Sequence, residues 1–246
     1  MVKNCLIINL DERTDLWKNL EGFREHWTKL GKTCERIPGV SYKNKSNVLN
    51  EFIVNGKINV LMGGFRNQKQ AFLGELGCYM GHYNAWKTVV EKKMESCLIM
   101  EDGVRMLRAD FNNLTMPKTL DILYVNAEME QHPTFQVFGY GTQGYVVTYE
   151  GAKKLMKECA VLSMPIDLQI LHLCKIRTLK ATSLSEPYVI RDDNRLSSID
   201  NSKLRAARDR LDKQTMLREK QNPDSLLQRI ITNLLKKNVN LDELLE

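Results

Sequence analysis

Residues 74–103 read GELGCYMGHYNAWKTVVEKKMESCLIMEDG, a helical pattern that runs into a strand pattern. Leu76, Met80, Tyr83, Val90 and Met94 recur at helical spacing, with Trp86 close to the same face. Cys97, Leu98, Ile99 and Met100 then form a continuous apolar run, as in a central strand covered on both faces. Glu101 and Asp102 follow at once. Ligands of open α/β sheets bind beyond the carboxyl ends of the strands, so two carboxylates there are placed for chemistry. The competing reading is that the strand simply ends in acidic residues where it meets solvent.

Upstream, residues 3–10 form a first strand rich in Ile, and residues 16–30 a helix with an apolar face through Leu16, Leu20, Phe23 and Trp27. Strand, polar turn and helix open a nucleotide-binding α/β unit. A helix start carrying Arg13 suits a diphosphate. The alternative is that Asp11 and Asp15 cap the helix and Arg13 pairs with them. A second strand over 34–40 stops at Pro38-Gly39, and the polar stretch 41–70 passes over the same face, with Arg66 and Lys69 as phosphate-binding candidates or surface charges.

Downstream, the pattern predicts a strand over 120–125, a small hairpin within 131–140, a glycine-bearing strand over 141–148 and a helix over 149–159. Small residues in the strand at Gly141 and Gly144 let a ligand approach the backbone. Asp167 follows Pro165 and precedes a helix over 168–174, as a functional carboxylate or as that helix's N-cap. Residues 178–185 and 186–190 make the last strand. Residues 203–220 hold seven basic and three acidic residues without an aromatic, a solvated helix and not a nucleic-acid reader. After Pro223, the apolar stripe from Leu226 to Leu235 must bury against its own domain or, as second choice, a second copy in a homodimer.

A chain of 246 residues with 43% hydrophobic and 27% charged residues is an ordinary globular composition. The net charge of +6 suits a phosphate-bearing ligand without demanding nucleic acid. No apolar run approaches the roughly 20 residues that span a bilayer, and the run from Cys5 to Ile8 is too short for a signal peptide. Six cysteines without a CxxC pair read as reduced core residues. The expectation is a soluble cytoplasmic protein, with association at a membrane face left open.

GELGC, GHYNAW and LIMEDGV, preceded by INLDERTD and followed by GTQGYVVT and PID, resemble glycosyltransferase family 25 over residues 3–199. That family includes lipopolysaccharide-biosynthesis galactosyltransferases and procollagen galactosyltransferases. Its usual motifs are GE(I/L)GC, SHxxxW and EDD, and the last Asp of EDD is Gly103 here. The resemblance implies a GT-A type α/β domain over 1–199, built around a mostly parallel twisted sheet, and leaves 200–246 as a helical C-terminal extension. It implies transfer of galactose or glucose from a UDP-sugar to a hydroxyl of a glycan or of hydroxylysine.

By the same resemblance, Asn9, Asp11 and Arg13 stand at the sugar nucleotide, and Glu75 and His82 belong to its site through the two central motifs. Gly141, Thr142 and Tyr145 line the donor sugar, Glu101 and Asp102 hold Mn2+, and Asp167 is the catalytic base that takes the acceptor proton. A single in-line base fits an inverting displacement. Gly103 has no donor side chain, which motivates a second reading: a sugar-nucleotide binding or scaffolding module that has lost turnover. A dinucleotide-dependent enzyme is set aside, because no GxGxxG follows the first strand.

Overall fold

β1 (Asn4–Asn9) lies inside a six-stranded sheet and alternates its side chains between two cores. Leu6 and Ile8 face one apolar cluster, whereas Cys5 and Ile7 face the other. β4 (Ser96–Glu101) does the same, with Cys97 and Ile99 on one side and Leu98 and Met100 on the other. A strand buried on both faces needs apolar residues at every position, and this is why 97–100 reads as an unbroken run. The computed structural model describes residues 1–41, 59–60, 69–126, 129–132, 135–139, 141–162 and 164–192. Arg66, the stripe from Leu226 to Leu235 and the boundary expected near residue 199 lie outside the described residues.

β1 and β4 are joined by β2 (Thr33–Pro38), β6 (Ile122–Tyr124), β9 (Gly144–Thr148) and β11 (Ala181–Ser183) in the order β11-β6-β9-β4-β1-β2. Five strands run in one direction, and only β9 runs against them, between β4 and β6. The α/β expectation with a mostly parallel sheet therefore holds. The reversal of β9 matters for function. It brings the start of β9, with Gly144 opposite Met100, to the edge where β1, β2 and β4 end.

α1 (Thr14–Asn19) and α2 (Glu21–Lys29) cover one face, burying Leu16, Phe23 and Trp27. They replace the single helix expected over 16–30. The break falls at Leu20, whose N–H turns back to Trp17 O at 3.3 Å in a tighter turn. On the other face lies α3 (Lys69–Glu91), with α4 (Tyr149–Glu158) and α5 (Ile166–Lys175) beside it. α3 packs closely on β1 and on the chain after β2 at two of its glycines. A Cβ on Gly77 would sit 2.3 Å from Val40 O, and one on Gly81 would sit 2.7 Å from Ile8 Cγ2.

After Gly103 the chain reverses into β5 (Val104–Met106), which pairs antiparallel with β12 (Val189–Arg191). The expected last strand is thus two strands in different sheets, β11 on the main sheet and β12 on this ribbon. Pro187 has no N–H to continue a ladder, and the neighbouring Tyr188 N–H turns to Val125 O at 2.8 Å. The expected hairpin is formed by β7 (Met129–His132) and β8 (Phe135–Gly139), and the minor pair β3 (Asn59–Val60) and β10 (Val161–Leu162) completes the strands.

Candidate active site

The carboxyl ends of β1, β2 and β4 meet around Asn9, which is 2% exposed. Its amide nitrogen donates to Asp102 Oδ2 at 2.8 Å and to Arg13 O at 3.0 Å, while its Oδ1 accepts from Arg36 Nε at 2.8 Å. Arg36 also donates to Asn9 O at 3.1 Å and to the Asp11 carboxylate. Arg13 lies 3.3 Å from Asp102 Oδ1. One buried amide therefore fixes a carboxylate, the Arg36 guanidinium and the backbone carbonyl of Arg13. Burial pushes the Asp102 carboxyl above its ordinary range, against the pull of Arg13 and the hydrogen bond from Asn9.

Glu101, the last residue of β4, turns to other partners. Its Oε1 accepts from Thr142 Oγ1 at 2.6 Å and lies 3.2 Å from His82 Nε2. His82 is fully buried on α3, and its Nδ1 is 2.9 Å from Tyr145 Oη, which accepts from Trp86 Nε1 at 2.8 Å. An indole N–H only donates, so the network assigns a direction: Trp86 to Tyr145, Tyr145 to His82 Nδ1, and His82 Nε2–H to the Glu101 carboxylate. Burial pushes the Glu101 carboxyl up. The hydrogen bonds from His82 and from the Thr142 hydroxyl, with the charge of Arg191, outweigh it, leaving Glu101 below its ordinary range. Two successive carboxylates are thus driven apart, the pattern by which neighbouring acids take different roles.

Cys78 lies one turn before His82 on the same face of α3. Burial pushes its thiol well above its ordinary value, and the charges of Glu101, Asp167 and Glu75 act in the same direction, while a hydrogen bond with Thr142 opposes them. One ligand atom each from Cys78, His82 and Glu101 lie within 4.8 Å of one another.

The residues expected at the site therefore fall into groups. Asn9, Arg13 and Asp102 form one, and His82, Thr142, Tyr145 and Glu101 form another. The charges of Glu75 and Asp167 meet at Cys78, and Gly141, with φ of 84°, turns the chain just before Thr142. Asp11 is the outlier: its side chain is 77% exposed and paired with Arg36. The capping alternative fails for the first helix, because its N-cap is Arg13 without a side-chain cap bond, and Arg13 faces Asp102. It fails for Asp167 too. Pro165 is the N-cap of α5, and Asp167 Oδ1 accepts from Leu168 N at 2.9 Å. Three participants escaped the sequence reading: Arg36, Cys78 and the indole of Trp86. Cys78 had a legible signal in the C-x-x-x-H spacing within GCYMGH, and Trp86 in its place at the end of GHYNAW.

A family model described as glycosyltransferase family 25 (LPS biosynthesis protein) matches residues 2–138. A glycosyltransferase 25 family member of Anopheles gambiae is 27% identical over 187 residues, 68% of this chain and 31% of that protein. Procollagen galactosyltransferase 1 of Danio rerio is 29% identical over 115 residues, 38% of this chain and 19% of its own length. Procollagen galactosyltransferase 2 of Homo sapiens is 30% identical over 103 residues, 34% of this chain and 16% of that protein. The chain spans under a third of the length of these curated relatives.

Among solved structures, a glycosyltransferase involved in glycosylating the major capsid of PBCV-1 overlaps with a TM-score of 0.45 at 9% identity, covering 79% of this chain and 95% of that one. A Drosophila beta-1,4-galactosyltransferase 7 mutant, in complex with manganese, UDP-Gal and xylobiose, gives 0.42 at 12% identity, covering 83% and 74%. Neither overlap is close enough to transfer a binding site.

Proposed function

Because the chain belongs to glycosyltransferase family 25, we propose that it moves a hexose from a UDP-sugar to a hydroxyl of a glycan or of hydroxylysine. The observation that carries this reading is the sorting of charge at one sheet edge. Arg13 and Arg36 stand beside buried Asn9, as cations for a leaving diphosphate, while Glu101 and Asp102 stand a strand away. The names of the Danio rerio and Homo sapiens relatives favour galactose over glucose.

Glu101 and Asp102 are oxygen donors of the kind Mn2+ takes, and the 3.3 Å contact of Asp102 with Arg13 is loose enough for an ion to replace. Asp102 would hold the metal, which supplies positive charge against the diphosphate, while Glu101 faces His82 and Thr142. Arg13 and Arg36 bind and orient the phosphates; Asn9 holds the Arg36 guanidinium and the Arg13 backbone in place. Asp167, beside Cys78 and Tyr124, is the base that takes the acceptor proton.

A panel of UDP-sugars, with and without Mn2+, tests this directly through slow donor hydrolysis and calorimetric binding. Hydrolysis of one UDP-hexose above the others is expected. Absence of both hydrolysis and binding across the panel overturns the reading. Binding without hydrolysis or transfer selects the second reading, a sugar-nucleotide module, which the side-chain-free position at Gly103 favours.

A further inference from the structure

We propose that Cys78, His82 and Glu101 form a site for one divalent transition-metal ion of borderline softness, of the Zn2+ or Co2+ class. Three different ligand types converge there from two elements, one ligand atom from each lying within 4.8 Å of the others. Two come from one helix: Cys78 and His82 are four residues apart, so they project from the same face of α3 on successive turns. The third is delivered by the end of β4. Gly77 and Gly81 let α3 lie close enough to the sheet for the two elements to share a site.

The donor set selects the ion. Thiolate and imidazole favour zinc-like metals, whereas Mg2+ and Mn2+ prefer oxygen donors. Three protein ligands are the number an open zinc site uses, a water or substrate atom completing the four. Charge acts in the same direction, because the carboxylates of Glu101, Asp167 and Glu75 all act on the Cys78 sulfur. The surroundings of His82 are also those of a ligand. A metal at Nε2 moves the ring proton to Nδ1, and Tyr145 Oη, 2.9 Å away, has a second lone pair to accept it beside the bond from Trp86. The ion would lie next to the proposed sugar-nucleotide site, yet its binding needs no sugar nucleotide.

The test uses the full chain, reduced and stripped with chelator, titrated with Co2+ without any nucleotide. The expected result is one equivalent bound, with the near-ultraviolet charge-transfer absorption of a cobalt–thiolate bond. Cys78→Ser loses that band and binds Co2+ at least about ten-fold more weakly, since loss of a direct ligand costs no less than loss of an outer-shell partner. Cys34→Ser, on β2, keeps both. A second measurement needs no variant: Zn2+ slows maleimide labelling of Cys78, read from its peptide mass, and Mn2+ at the same concentration does not. No charge-transfer band in the parent protein, a band that persists in Cys78→Ser, or labelling unaffected by Zn2+ overturns the proposal. None of these outcomes bears on sugar transfer, which the UDP-sugar panel decides separately.

Discussion

Glu101 and Asp102 are neighbours in the chain and opposites in environment. Asp102 turns toward β1, where Asn9 and Arg13 take its two oxygens, and burial still leaves its carboxyl favouring the proton more than usual. Glu101 turns toward α3, where buried His82 and Thr142 hold it as an anion despite burial. The difference is set where β4 ends: Glu101 is its last residue, and Asp102, first in the turn, is tied toward β1 by its N–H bond to Ile8 O at 3.0 Å, so the two meet different partners. A pair of acids at a strand end is therefore two half-sites, one beside the guanidinium groups and one beside the imidazole and thiol.

The largest expected effect tests the imidazole side. Asp167→Asn should lower transfer by roughly 10²- to 10⁴-fold, the usual contribution of a general base, and leave donor affinity within a few-fold of the parent. Its Oδ1 accepts the N–H of Leu168 in the first turn of α5. A variant that keeps its activity and loses only a few tenths of a kcal/mol of stability would leave Asp167 with a helix-dipole role alone.

Next comes the guanidinium side. Asp102→Ala should weaken UDP-sugar binding by about ten-fold or more and cost about 1–3 kcal/mol in denaturant unfolding, because Asn9 and Arg13 lose a buried partner. Glu12→Ala, at an exposed position, is the reference. Equal calorimetric affinities for the two variants would remove Asp102 from the site.

A smaller effect separates the two acids by pH. Glu101 has a folded value below its unfolded one, so its contribution to stability is present above the ordinary glutamate value of about 4.3 and is lost as pH falls through the folded value. Asp102 is shifted the other way, so its ionisation lowers stability as pH rises from the ordinary aspartate value of about 3.9 through the raised one. Glu101→Gln should flatten the acid limb of the stability profile, and Asp102→Asn should remove the opposing loss. Identical acid limbs in the two variants would contradict the opposite environments.

The smallest expected effect is on stability in Gly103→Asp. A Cβ there meets nothing within 4 Å, and the residue is not among the positive-φ glycines, so the melting temperature should stay within what about 0.5 kcal/mol produces. The added carboxylate should tighten Mn2+ binding by calorimetry. Unchanged Mn2+ affinity in a folded variant would mean that the strand end does not use a hard metal there.

The sequence by itself determined the doubly covered strand at 97–100, the long helix before it and the acidic strand end. Each is local: apolar periodicity and the residues that close it are set within one element. It also carried the family motifs in order, and with them the expectation that Asn9, His82, Thr142 and Tyr145 belong to one site. Only the tertiary structure decided which groups meet. The parallel pairing of β1 with β2 brings Arg36 to Asn9, and the reversal of β9 brings Thr142 to Glu101. Cys78 reads as a core thiol in one dimension and stands among three carboxylates in three. The split of the last strand and the break at Leu20 were hidden for the same reason. Strand partnership depends on hydrogen bonds to residues distant in sequence, such as Tyr188 N–H to Val125 O, and the helix break is one tight turn, Leu20 N–H to Trp17 O, inside an unbroken apolar period; neither leaves a local periodicity to read.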